Sequence, residues 1–139
     1  MSQVVTSDFK RDMVFEADVN GHKITMDSKN DKGPWPKPLM LASLCGCTGM
    51  DVVSLFNKMR VSFTSLRILV EADTTEEHPR YYNKVHVVYE IGGKDLPKDS
   101  VEKAVRLSQE KYCGVLAIFK KAAKVTYEVR YVQKNITKG

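Results

Sequence analysis

The chain of 139 residues has few of the residues that usually build metal or disulfide sites. Its three cysteines form no Cys-x-x-Cys pair, and its three histidines, His22, His78 and His86, are isolated from one another. A structural zinc site normally draws on closely spaced cysteines and histidines, so neither a metal nor any other resident cofactor is expected. The odd number of cysteines also argues against a framework of structural disulfides.

The charged residues include no block of one sign. Lys and Arg number 22 against 17 Asp and Glu, giving a net charge of +5, and they are scattered without interleaved aromatic residues. Nucleic-acid binding is therefore not expected. Met1–Asp12 is polar and does not resemble a secretory signal. The longest uncharged run, Pro38–Met50, is shorter than the roughly 20 residues of a membrane span, so we expect a cytoplasmic protein. In that compartment a disulfide would be transient and catalytic.

The balance of 42% hydrophobic and 28% charged residues predicts one globular domain over residues 1–139. Alternating apolar residues around Asn20-Gly21 predict a β-hairpin, and Asp99 with Glu102 predicts a capping box. The predicted order is ββ-α-ββ-αα-β, an α+β fold. Its elements are a hairpin over 13–27, a helix over 39–60, strands over 66–72 and 85–91, helices over 99–112 and 115–119, and a strand over 125–131.

The first predicted helix is almost free of charge. Asp51 is the only charged residue before Lys58, so most of this helix should lie inside the fold or at an oligomer interface. Gly46 and Gly49 each weaken a helix by up to about 1 kcal/mol relative to Ala. This loss of helix stability is understandable if another backbone approaches the helix closely at the glycines. We therefore expect another element to cross the helix there, and we expect the protein to oligomerise.

The cysteines are the residues most able to carry chemistry. Cys45 and Cys47 point about 200° apart on a helix, so they cannot jointly bind a metal or close an easy disulfide. Cys113 should begin the short third helix, where the N–H groups and dipole favour a thiolate. A thiol peroxidase needs one thiolate, a nearby cation and a resolving thiol. Inert packing of each cysteine stays open as the alternative.

Hydrolysis is a weaker hypothesis. A cysteine hydrolase needs a base beside its nucleophile, and nothing in the sequence ties a histidine to Cys47. We interpret His86 as a residue on a strand face and His78 as part of a loop.

Several segments resemble the OsmC/Ohr family of osmotically inducible and organic hydroperoxide resistance proteins, especially its OsmC-like redox proteins. Residues 38–54, PLMLASLCGCTGMDVVS, resemble the first cysteine motif, and residues 101–113, VEKAVRLSQEKYC, resemble the second. Residues 75–80, TEEHPR, resemble the loop before a family strand, and residues 124–128, KVTYE, resemble the closing strand. The resemblance spans roughly residues 34–132.

The resemblance implies an intertwined homodimer in which long central helices pack against sheets from both chains. It also implies that Cys47 is the peroxidatic thiolate, attacking an alkyl or lipid hydroperoxide. Cys113 would be the resolving thiol that forms a disulfide with it. Re-reduction would come from an external dithiol, in some members a lipoyl group on a protein.

The sequence departs from the family at the residues that activate the thiolate. Peroxidases of the family carry a Glu where this chain has Lys37 or Pro38, and that Glu pairs with an Arg from the N-terminal strands. Lys37 and Arg11 are therefore the candidates for stabilising the Cys47 thiolate. Two alternatives follow: a dimer without peroxidase activity that binds a small hydrophobic molecule, and a resolving or regulatory role for Cys45.

Overall fold

The computed structural model describes residues 1–133, and their contacts divide the chain after Ala42 into two compact units. The fold is α+β, as predicted, with one more N-terminal strand than the sequence indicated. The single domain over residues 1–139 stays a prediction. The strands are β1 (Thr6–Arg11), β2 (Val14–Val19), β3 (His22–Asp27), β4 (Ser65–Thr74), β5 (Tyr82–Gly92) and β6 (Lys124–Val132). The helices are α1 (Pro38–Met59), α2 (Lys98–Leu107) and α3 (Gly114–Ala122).

The first unit contains an antiparallel sheet in the order β1-β2-β3. The predicted hairpin is confirmed, and its turn uses positive φ angles of 53° at Asn20 and 84° at Gly21. Strand β1 was missed because all six of its residues are exposed and show no apolar alternation. Pairing of its backbone with β2 holds it in place.

The loop after β3 is organised by a buried carboxylate. Asp27 is 3% exposed and accepts hydrogen bonds from the backbone N–H groups of Lys29 at 2.9 Å and Lys32 at 3.0 Å. These two bonds, that of Lys32 first, lower the pKa of Asp27. Gly33 then passes so close to Thr25 that a Cβ would lie 2.3 Å from its carbonyl oxygen. The chain therefore needs glycine at this point.

Helix α1 begins and ends within one residue of the predicted bounds. Its buried residues recur every four positions and so form one face: Leu44, Thr48, Val52 and Phe56. Its 22 residues are long and apolar enough to cross a membrane by length and composition, and 28% of the apolar window is buried in the chain. The core helix of a globular protein passes the same test, so the length and composition of α1 do not by themselves indicate a membrane span.

The second sheet, in the order β4-β5-β6, supports the helices of the second unit. Strands β4 and β5 pair antiparallel, whereas β5 and β6 pair parallel. Val85, Val87, Tyr89 and Ile91 alternate along β5 and are all buried, as are Val101, Ala104 and Val105 on α2. The core of this unit therefore lies on the Tyr89 face of the sheet.

The start of α2 differs from the prediction. The N-cap is Pro97, whose side chain makes no capping hydrogen bond, so the capping box of Asp99 and Glu102 is wrong. Proline sets the extended N-cap backbone, with φ −75° and ψ 94°, and places Asp99 inside the first turn. Glu102 instead accepts a hydrogen bond of 3.0 Å from the Tyr131 hydroxyl.

The predicted crossing at Gly46 and Gly49 is not made within residues 1–133. A Cβ added at Gly46 would meet no heavy atom within 4 Å, and one at Gly49 would meet only Ile68 Cγ1, at 3.5 Å. Among the described residues the helix surface at Gly46 is therefore open, whereas Gly49 lies within van der Waals contact of the Ile68 side chain on β4.

Candidate functional site

Helix α1 places one thiol and one carboxylate a single turn apart. Cys47 and Asp51 are separated by four residues and so share a face of the helix, and both side chains are half-buried. Thr48 lies beside them and is fully buried. Cys45 lies on another part of the helix surface, as the spacing predicted.

A change of helical winding brings Cys113 to the site. Helix α2 passes into a π-helical turn over Ser108–Tyr112, which closes with a 3.0 Å bond from Cys113 N–H to Ser108 C=O. Cys113 is then the N-cap of α3, and its Sγ accepts a hydrogen bond of 3.4 Å from the backbone N–H of Leu116. The side chain is buried, with 5% exposure. The predicted position at the start of the third helix is confirmed.

The fold brings the two predicted thiols together. The sulfur atoms of Cys47 and Cys113 and a carboxylate oxygen of Asp51 all lie within 4.8 Å of one another. All three cysteines are free thiols in the structure. A disulfide has an S–S length of about 2.05 Å, so side-chain rotation must shorten the separation before a bond can form.

The Cys113 thiol is held in its protonated form. Burial, followed by a hydrogen bond with Cys47, raises the pKa of Cys113 from 9.0 to about 11. The Leu116 N–H lowers the pKa, as expected at a helix N-terminus, but burial outweighs it. The expectation that the helix dipole would favour a thiolate at Cys113 is therefore wrong. Burial and the contact with Cys47 both favour the protonated form of the Cys113 thiol.

A buried chain of hydrogen bonds leads to the carboxylate beside the thiols. Gln109 Nε2 donates to the Tyr89 hydroxyl at 2.8 Å, and Tyr89 bonds to Thr48 Oγ1 at 2.6 Å. Thr48 bonds to Ser108 Oγ at 2.7 Å, and Ser108 donates to Asp51 Oδ2 at 2.9 Å. Because the first group can only donate and a carboxylate can only accept, each hydroxyl donates to the next in the direction of Asp51.

Sequence reasoning did not assign Asp51 to the site. The available signal was its position as the only charge in the central part of α1, four residues after Cys47. Ser108 and Thr48 carry no comparable signal, because their contact joins residues 60 positions apart in the chain.

Cys45 is separate from the paired thiols. Its Sγ lies 3.9 Å from the carbonyl oxygen of Ile68 on β4, and burial raises its pKa. It lines a largely apolar groove of about 720 Å³ between α1 and β4, together with Met50, Val53 and Leu66. A resolving or regulatory role for Cys45 stays a prediction.

The two predicted cations belong to the first unit. Arg11 ends β1 and is exposed, while Lys37 is half-buried just before α1, where its carbonyl accepts the Met40 N–H at 3.0 Å. Their roles in stabilising the Cys47 thiolate stay predictions.

His86 lies on the opposite face of the second sheet from Tyr89, since the two are three positions apart along β5 and side chains alternate between the faces. Its Nδ1 bonds to Thr126 Oγ1 at 2.7 Å and its Nε2 to Glu128 Oε1 at 2.8 Å. The histidine is therefore engaged on the strand face, in agreement with the interpretation from sequence.

The fold and the site together define a class: an α+β protein with two thiols and a carboxylate gathered where a long apolar helix meets the end of a π-helical turn. The family model described as OsmC-like protein matches residues 29–128, so the chain belongs to the OsmC family. It is 34% identical over 114 residues to protein YhfA of Escherichia coli K12, covering 81% of this chain and 85% of that protein.

Solved structures share the fold. A hypothetical protein from Aquifex aeolicus is 30% identical, with a TM-score of 0.83 over 95% of this chain and 98% of that one. The organic hydroperoxide resistance protein OhrB of Bacillus subtilis is 16% identical, with a TM-score of 0.68 over 94% and 98% of the two chains. The similarity to OhrB shows a shared fold and nothing about activity.

Proposed function

We propose that the protein is a thiol peroxidase that reduces organic hydroperoxides, with Cys47 as the attacking thiolate and Cys113 as the resolving thiol. The observation that carries the proposal is the approach of the two sulfur atoms to within 4.8 Å. They come from segments 66 positions apart in the chain, so only the tertiary fold can pair them. Membership of a family with peroxide-resistance members adds support.

The reaction has three steps. The Cys47 thiolate attacks one peroxide oxygen, so that an S–O bond forms, the O–O bond breaks, and the departing alkoxide takes a proton from water to become an alcohol. The Cys113 sulfur then attacks the Cys47 sulfenic acid, forming the disulfide and releasing water. An external dithiol, such as a lipoyl group, reduces the disulfide to two thiols and is itself oxidised.

The proton on Cys113 suits this division of roles. A resolving thiol has to stay protonated and unreactive until the sulfenic acid has formed, and burial holds Cys113 in that state. The more exposed of the two, Cys47, is half-buried and within reach of a substrate. The apolar residues of α1 around it favour an alkyl or lipid peroxide over hydrogen peroxide.

The proposal includes a homodimer formed across α1. Met40 is 49% exposed and Met50 is 75% exposed, and a Cβ added at Gly46 would meet no heavy atom of the described residues within 4 Å. A second copy of α1 laid there would bury this surface and supply the close backbone approach that the two glycines permit. Sedimentation of the purified protein as a dimer supports this assembly, and a monomer at micromolar concentration contradicts it.

Cytoplasmic location belongs to the same proposal. Free thiols that cycle through a transient disulfide need a reducing compartment and a dithiol partner. The proposed reaction needs no resident cofactor, because the two thiols supply the two electrons that reduce the peroxide.

A second candidate function is suggested by the groove beside Cys45. Its volume of about 720 Å³ and its apolar lining would accept a small hydrophobic molecule, with the cysteines acting as packing residues. Titration of the native protein with a thiol reagent separates the two functions. Packing thiols react only after denaturation, whereas a peroxidatic Cys47 reacts in the folded protein.

The direct test is stopped-flow mixing of the reduced protein with cumene hydroperoxide. We expect one thiol pair to be consumed per chain, with a disulfide between Cys47 and Cys113 found by peptide mapping. Cys47→Ser should abolish the reaction, and Cys113→Ser should leave a sulfenic acid that a trapping reagent captures. Cys45→Ser is the matched control and should react normally. Unaltered turnover in Cys47→Ser, or a disulfide that includes Cys45, would overturn the assignment.

A further inference from the structure

We propose that reduced Cys47 and Cys113, together with Asp51, form a binding site for a thiophilic divalent cation of the Zn²⁺ class. Two thiol sulfurs and one carboxylate oxygen converge to within 4.8 Å of one another. Zinc sites with an open position use three protein ligands of these kinds and leave the fourth position to water. The site goes beyond the proposed peroxidase and does not depend on it.

The required geometry is close to the one observed. With Zn–S bonds of about 2.3 Å, neighbouring ligands of a tetrahedral site lie about 3.5–3.8 Å apart. The separations between the three ligand atoms therefore need to shorten by no more than about 1.3 Å, which side-chain rotation supplies. Cys47 and Asp51 are fixed one helical turn apart on α1, and Cys113 approaches from the N-terminus of α3.

The groups behind the ligands hold them in orientation. Ser108 donates to Asp51 Oδ2 at 2.9 Å and so fixes the orientation of the carboxylate. The Leu116 N–H supports the Cys113 sulfur at 3.4 Å. Hydrogen bonds of this kind orient metal ligands, and their loss commonly weakens binding by about 10- to 100-fold. Half-burial of Cys47 and Asp51 leaves a path by which the ion can enter.

The ligand set decides which ions bind and in which redox state. Thiolates favour zinc over magnesium or calcium, which prefer oxygen ligands throughout. Binding displaces the thiol protons to solvent and forms two metal–sulfur bonds. The Cys47–Cys113 disulfide offers no thiolate, so oxidation and zinc binding exclude each other. A bound ion would also occupy the sulfur that attacks the peroxide, and zinc would then inhibit the proposed reaction.

The test is a Zn²⁺ titration of the reduced, chelator-treated full-length protein, competed against a chromophoric chelator. We expect one Zn²⁺ per chain, release of protons on binding, and no competition from millimolar Mg²⁺. Cys47→Ser and Cys113→Ser should abolish binding, Asp51→Asn should weaken it at least tenfold, and Cys45→Ser should leave it unchanged. Ser108→Ala, which retains all three ligands, should weaken it by a smaller factor.

Each opposite result overturns the site. The site is refuted if the reduced protein binds no zinc, or if the disulfide form binds it equally well. It is also refuted if Cys45→Ser loses binding, or if Asp51→Asn binds zinc unaltered while its circular dichroism spectrum is native. Peroxide turnover is measured separately on the metal-free protein. Zinc binding without turnover would refute only the peroxidase, and turnover without zinc binding would refute only the metal site.

Discussion

Ser108, in the first turn of the π-helical segment, donates a 2.9 Å hydrogen bond to Asp51 in the middle of α1. This contact ties the segment that carries Cys113 to the helix that carries Cys47. It is also the last link of a chain of hydrogen bonds that begins at the side-chain amide of Gln109. Anchoring of the two thiols therefore depends on buried polar groups as well as on apolar packing.

Replacing Thr48 by Val should destabilise the protein without changing the shape of the core. Val keeps the side-chain volume but leaves the Tyr89 and Ser108 hydroxyls without their shared partner in a fully buried place. We expect a loss of about 1–3 kcal/mol in the free energy of unfolding, measured with urea. Ser54→Ala, at an exposed position of the same helix, is the control and should change it little. A loss below about 0.5 kcal/mol for Thr48→Val would contradict the chain of hydrogen bonds.

Stability should fall at alkaline pH because of Cys113. Its pKa is raised from 9.0 to about 11 in the folded protein, so the unfolded chain loses this proton first. The contribution of the thiol to stability is complete below pH 9 and is lost as the pH rises through about 11. The measurement compares the unfolding free energies of the metal-free wild type and Cys113→Ala from pH 8 to pH 11, so that other groups cancel. A difference that stays constant across this range would contradict the raised pKa.

The cation that assists Cys47 can be found by charge removal. We expect either Lys37→Gln or Arg11→Gln to slow the reaction with cumene hydroperoxide by roughly tenfold, because the variant lacks a cation that would stabilise the Cys47 thiolate. Lys58→Gln, in the last turn of α1, is the charge-matched control and should react at the wild-type rate. If neither variant is slower than this control, a group other than these two residues stabilises the thiolate.

Gly33 should resist substitution. A methyl group there would lie 2.3 Å from the Thr25 carbonyl oxygen, which belongs to a paired strand and cannot move aside easily. We expect Gly33→Ala to lower the free energy of unfolding by about 1–3 kcal/mol. Gly114→Ala, where the added methyl meets nothing within 4 Å, should be neutral or slightly stabilising. Equal stability of the two variants would show that the loop after β3 can rearrange.

The elements predicted well were those with a local signal. Asn20-Gly21 accepts the positive φ angles of the hairpin turn, and Pro38 has the fixed φ of a first helical residue. Strand β1 has no apolar pattern of its own, and it is a strand only because its backbone pairs with β2. The sequence pattern therefore did not predict it. The capping box failed because Asp99 falls inside the helix that Pro97 begins.

The sequence by itself determined the family, through the resemblance of its two cysteine motifs. Local spacing and turn residues determined the helix that carries Cys47 and the position of Cys113 at the start of α3. Only the tertiary structure decided that these thiols meet, that Asp51 joins them, and that burial outweighs the helix dipole at Cys113. The reason is physical: distances between segments 60 or more positions apart, and the loss of water around a thiol, depend on how the helices and the sheet pack together.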